Sequence, residues 1–206
     1  MNNNELKTVW RQTVPAVVTG NEVEWENIMA HYSDKGRHYH TMRHLANMYD
    51  ELFAYYKGVP PVATTFALFY HDLVYSPLRS DNEQQSADYA RKVLMQWNMP
   101  AELISKVHHL IVCTQSHEAI AADDETNVFL DADMAILGSA APVYQDYTTA
   151  VRKEFSIYPD FIYNKGRRDF LRKTLSRPYM FLTAFFRAKY ESHARINLQN
   201  ELNQLL

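Results

Sequence analysis

The sequence predicts an all-α protein, a single compact domain of about ten helices. Glycine occurs only 5 times in 206 residues, where ordinary usage of about 7% would give roughly 14. Strand-rich folds use glycine at turns and bulges. Between the chain breakers, apolar residues recur at steps of three and four, which is the helical period. The 8 prolines and 5 glycines fall between or beside those stretches, where the chain changes direction.

Taken in order, the pattern predicts helices over 4–14, 22–33, 41–57, 62–74, 82–97, 101–117, 124–137, 142–155, 160–176 and 179–204. The third is the clearest, with Leu45, Met48, Tyr49, Leu52, Phe53 and Tyr56 on one stripe and Gly58 as its stop. The fourth carries FALFYHDLVY, residues 66–75, which as a strand would have no partner. Asp81-Asn82-Glu83 opens the fifth, and Pro100 suits the first turn of the sixth. No repeat, linker or long charge block interrupts the chain. One all-α domain over 1–206 is expected, with a core about 36–140 and the helices of 142–206 packed on it.

Composition excludes several classes. Hydrophobic residues at 47% and charged residues at 22% are ordinary for a globular chain. The single Cys113 excludes a disulfide framework and every Cys-rich metal site. No apolar run reaches the ~18 residues of a membrane span, and MNNNELKTVWRQT lacks the pattern of a signal peptide. A cytoplasmic protein with no membrane partner is expected. A net charge of −3 offers no field for nucleic acid. Without GxGxxG or GxxxxGK, dinucleotide-binding and P-loop folds are excluded.

The residues that suggest chemistry are histidines and buried acids. His38, His40 and His44 lie in RHYHTMRHL, and His71-Asp72 lies in FYHDLVY. The dipeptide alone means little, since chance supplies one in about every two chains of this make-up. Its apolar surroundings matter more, because a carboxylate taken out of water is costly unless paired or bound to metal. Asp131 and Asp133 repeat the situation in VFLDADMAILG. Imidazole and carboxylate without thiolate suit a divalent ion such as Mn, Fe, Mg, Co, Ni or Zn.

In this order of motifs the chain resembles the HD superfamily of metal-dependent phosphohydrolases, and more closely bacterial HD-domain proteins with RxYH…H, HD, NExxSA, TxxH and GRxxxL segments. Here these read Arg37-His38-Tyr39-His40 with His44, His71-Asp72, Asn82 to Ala87, Thr114 to His117, and Gly166 to Leu171. The resemblance spans about 25–205. It implies His40, His71, Asp72 and Asp133 as metal ligands. His44, one turn along the same face, and Asp131 stay as alternatives; if both acids flank the ion, Asp131 supports Asp133 from behind. The activity implied is metal-assisted hydrolysis of a small phosphate ester, such as a nucleotide, with Asp72 serving catalysis as well as ligation.

Periodicity adds candidates for the remaining roles. Glu83 shares a stripe with Ala87, Ala90, Leu94 and Trp97, and His117 extends the stripe Leu103, Val107, Leu110 and Thr114. His44, Glu83 or His117 would handle protons. Arg167 shares a face with Leu171 and Leu175, while Arg168 and Arg172 turn away. Arg37 and Arg167, with Lys165, would bind phosphate. A di-iron oxygenase-type variant, with His44 or His117 holding a second ion, and a non-catalytic helical binding or sensor module are the alternatives; a homodimer stays open. An all-α repressor is disfavoured, because residues 1–35 carry only Lys7, Arg11 and Lys35 against Glu5, Glu22, Glu24, Glu26 and Asp34.

Overall fold

The computed structural model describes residues 1–118 and 123–205; among these it is all-α, with ten helices and no strand. They are α1 (Asn3–Thr13), α2 (Asn21–Tyr32), α3 (Met42–Tyr56), α4 (Val62–Tyr70), α5 (Asn82–Gln96), α6 (Ala101–Cys113), α7 (Asp124–Met134), α8 (Ala141–Glu154), α9 (Asp160–Leu175) and α10 (Ala184–Gln204). A short 3-10 turn, Ala135–Gly138, follows α7.

Helix α4 is the axis of the core. Its residues Ala63 to Tyr70 are all buried, as a helix that is apolar all round must be. Trp10 of α1 gathers the aromatic side of this core, with the Trp25, Phe66, Phe69, Tyr70 and Trp97 rings at 5.3–6.4 Å. The packing is mostly edge-on or tilted, the geometry favoured by ring quadrupoles. Around α4 pack α1, α3, α5 and α6, while α3 also packs on α7 and α9 on α10. Helix α10 lies against the turn after α7. The approach is so close that a Cβ on Gly138 would fall 2.5 Å from Tyr190 Cβ.

Several helix ends differ from the pattern, and at α4 and α10 the difference comes from a contact distant in sequence. Helix α4 stops at Tyr70 rather than 74. The Arg37 guanidinium there takes the Asp72 carbonyl at 2.6 Å and the Leu73 carbonyl at 2.7 Å, carbonyls that a continuing helix would have used itself. Helix α6 stops at Cys113, and His117 lies beyond it with φ +49°. Helix α10 starts at Ala184, because Asp131 takes the amides of Leu182 and Thr183 at 2.6 and 2.8 Å. Among the described residues, no helix is long and apolar enough to cross a membrane.

Candidate metal centre

Three segments converge at the end of α4. His44 projects from the buried face of α3, beside Leu45 and Met48. His71 and Asp72 follow Tyr70 at the C-terminus of α4, where His71 keeps helical dihedrals. Asp133 comes from the last turn of α7. His44, His71 and Asp133 each offer one ligand atom, all within 4.8 Å of one another.

The shorter spacings are compatible with ligands of a single ion. His44 Nε2 is 3.1 Å from His71 Nε2 and 3.1 Å from Asp133 Oδ1. His71 Nε2 is 3.1 Å from Asp72 Oδ2, and the two diagonals, His44 to Asp72 and His71 to Asp133, are 3.8 Å. Ligands held about 2.1 Å from a cation stand roughly 3.0–3.4 Å apart at octahedral to tetrahedral angles. The imidazoles also face the right way. His71 Nδ1 lies 2.9 Å from the Leu68 carbonyl, so that nitrogen carries the proton and Nε2 turns its lone pair inward. His44 and His71 therefore meet lone pair to lone pair unless a proton or a cation lies between them.

His40 and His117 flank this group. His40 Nε2 is 3.9 Å from Asp72 Oδ2, and His117 Nε2 is 2.8 Å from Asp133 Oδ2. Of the two alternatives, His44 rather than His40 thus belongs to the inner group, while His40 stands one step out. Glu154, at the end of α8, holds His40 in place. Its Oε2 meets His40 Nδ1 at 2.7 Å, and its Oε1 accepts the amides of His38, Tyr39 and His40 at 2.8–2.9 Å. The Tyr75 hydroxyl donates to the same carboxylate at 2.8 Å. Successive amides of this kind form an anion-binding concavity, and here a side chain of the protein fills it.

Electrostatics follow from this crowding. Burial pushes both Asp72 and Asp133 toward protonation, but the surrounding imidazoles prevail and hold both carboxyls well below their usual range. Burial alone would discharge His71, yet Asp72 and Asp133 raise it to about 9. His40 is raised for the same reason, by Asp72 and Glu154 against burial. Glu154, despite its burial, is lowered to about 2 by His40 and the loop amides. The centre thus keeps its carboxylates ionised, with charge on the imidazoles balancing them.

Other residues proposed from the sequence lie elsewhere. Arg37 is buried and committed to the carbonyls of His40, Asp72 and Leu73, so it ends α4 and shapes the centre from behind instead of offering its fork to a ligand. Arg167 is also buried, with Nε and Nη2 on the two Glu201 oxygens at 2.7 and 3.0 Å and Nη1 on the Tyr147 hydroxyl. Lys165 is exposed and paired with Asp169 at 3.0 Å. Glu83 sits half-buried in the first turn of α5 and, among the described residues, makes no hydrogen bond or ion pair. Asp131 points away from Asp133, as residues two apart on a helix must; its oxygens take the Leu182 and Thr183 amides and the Thr183 hydroxyl. It anchors the start of α10 and does not support Asp133.

Glu154 is the residue that sequence reasoning missed. A signal existed, since Tyr144, Tyr147, Val151 and Glu154 form the buried face of α8, and an acid that ends an apolar stripe needs a partner. The chain matches no family model, no curated protein and no solved structure.

Proposed function

We propose that this protein is a metal-dependent phosphohydrolase of the HD type, cleaving the phosphate ester of a small molecule. The observation that carries the reading is the His44–His71–Asp133 group with Asp72 beside it, the imidazoles buried and the carboxylates partly so, spaced for one divalent ion. Two imidazoles and two carboxylates suit a borderline or hard cation. Bound there, such an ion supplies Lewis acidity, making water more acidic and offsetting charge on the phosphoryl oxygens. In the overall reaction a water oxygen bonds to phosphorus, the ester P–O bond breaks, and the alcohol leaves with a proton.

The chain's own residues supply the rest. Asp72 and Asp133 stay ionised because imidazoles surround them. Glu154 fixes the His40 ring, and Arg37 fixes the backbone that carries Asp72. His117, partly exposed and within 2.8 Å of Asp133, would pass a proton to the leaving oxygen. A second reading, a two-ion centre, draws on one observation. Each carboxylate has a further imidazole beside it, His40 by Asp72 and His117 by Asp133.

Elemental analysis of the purified protein beside H71A and D133A, with p-nitrophenyl phosphate hydrolysis on the same samples, tests this. One transition-metal ion per chain, lost in both variants together with hydrolysis, is expected. Two ions would favour the two-ion reading. Failure to take up any ion, with Mn²⁺ or Ni²⁺ supplied, would overturn the metal centre and the hydrolase with it.

A further inference from the structure

A cleft of about 650 Å³ opens beside the centre, with His44 and Asp133 in its wall. A recess of about 220 Å³ shares Tyr39, Arg43, His44 and Asn47 with it. Together they lie within the size range of small-ligand sites. Tyr39, Ile136 and Val143 supply apolar surface to both.

Most charges in the cleft are already matched. Lys189 pairs with Glu51 at 2.7 Å, and the Tyr190 hydroxyl takes the other Glu51 oxygen at 2.6 Å. Asp50 holds the Met1 amino group at 3.1 Å. Arg43 is different: it lines both cavities and, among the described residues, has no hydrogen bond, ion pair or ring contact. Asp146 lines the recess but forms no ion pair with it. Asn47, also without a side-chain partner among the described residues, lies at i+4 and so beside Arg43 on the same helix face. The two arginines that the sequence nominated, Arg37 and Arg167, are both spent on internal partners.

We infer that Arg43, with the Asn47 amide next to it, holds the phosphoryl group of the substrate, a small phosphate monoester lying in this cleft with its phosphate shared between Arg43 and the His44–Asp133 side of the centre. The inference rests on the phosphohydrolase reading and deepens it. Charge balance argues for it. A divalent ion would be neutralised by Asp72 and Asp133, so a monoester dianion brings two charges that need a further cation. Arg43 is adjacent in sequence to His44, and the planar guanidinium fork matches two phosphoryl oxygens.

The test is calorimetric titration of the Mn²⁺-loaded full chain with inorganic phosphate, with p-nitrophenyl phosphate kinetics on the same preparations. R43A should keep the metal content of the parent, weaken phosphate binding and raise KM about tenfold, with kcat little changed; tenfold is about 1.4 kcal/mol. R43K should recover part of the loss. R172A, which removes an exposed arginine on α9 with no side-chain partner among the described residues, should change neither quantity. Phosphate bound by the parent and lost in R43A, without any ester hydrolysis, would uphold the Arg43 assignment and end the phosphohydrolase reading. Hydrolysis with unchanged KM and phosphate affinity in R43A would overturn the assignment alone. A metal-loaded parent that binds no phosphate would also overturn it.

Discussion

Two buried charged regions of this molecule differ in one respect. At the Arg167–Glu201 pair, donors and acceptors balance: Nε and Nη2 meet the two carboxylate oxygens, Nη1 meets Tyr147, and the guanidinium lies over the Phe170 ring at 4.9 Å. At the His44–His71 centre they do not balance, because two imidazole Nε2 atoms face each other at 3.1 Å between two carboxylates. The first region is complete without a ligand; the second is complete only with protons or a cation. Burial of charge alone therefore does not single out a site, and on the reading proposed above it is the incomplete pairing beside a cleft that does.

The largest expected effect would show this division directly. R167A strands Glu201, whose side chain is only 11% exposed. Removing one partner of a buried pair costs about 3–5 kcal/mol, and the value here should lie near the lower end, since the Tyr144 hydroxyl still donates to Glu201. Urea unfolding should show that loss while metal content per folded chain stays at the parent level. D133A should do the reverse, abolishing metal uptake while shifting the urea midpoint of the chelated protein less than R167A does. If R167A lost metal, or D133A were the more damaging of the two without metal, the two regions would not be separable in this way.

The sequence made much of this legible, and the exceptions share a cause. Helix positions followed from periodicity, and His71, Asp72, Asp133 and His117 stood out as polar residues in apolar stretches; the structure brings them together, but with His44, the alternative, in the inner group in place of His40. An inward arginine, however, looks the same in sequence whether its partner is a substrate or an internal group. Arg37 turned out to serve backbone carbonyls and Arg167 to serve Glu201. Glu154 and His40 lie far apart in sequence and meet only through tertiary packing. Helix ends shifted wherever the cap came from such a distant residue, as Arg37 does for α4 and Asp131 for α10.

E154Q probes the link between a complete network and the incomplete one, with a smaller effect. The amide keeps the shape but removes the charge that three loop amides and His40 Nδ1 share. Weakening hydrogen bonds to a buried charge costs about 1–3 kcal/mol. Disturbing the groups that orient a metal site lowers affinity about 10–100-fold, measurable by competition with a chelator. Unchanged metal affinity would mean that His40 and its loop do not position the centre.

The smallest effect concerns Asp123, which begins the helix that ends near Asp133. Its carboxylate accepts the Thr126 amide at 3.1 Å and pairs with Lys106 at 2.8 Å, an N-cap reinforced by an ion pair. Burial opposes its ionisation, but Lys106 and Thr126 lower the carboxyl to about 2, from 3.8 when unfolded. A depressed folded-state pKa contributes stability that is present above the unfolded value and lost as pH falls through the folded one. D123N keeps an N-cap acceptor but loses the ion pair with Lys106, so it should cost up to about 1 kcal/mol at pH 6, and the gap between its urea midpoint and that of the parent should close between about pH 4 and pH 2. A gap that stayed open to pH 2 would show that hydrogen-bond geometry, not charge, holds this end of α7. The contrast with Asp133 would then be one of charge against shape rather than of two charges differing only in whether their partners are complete.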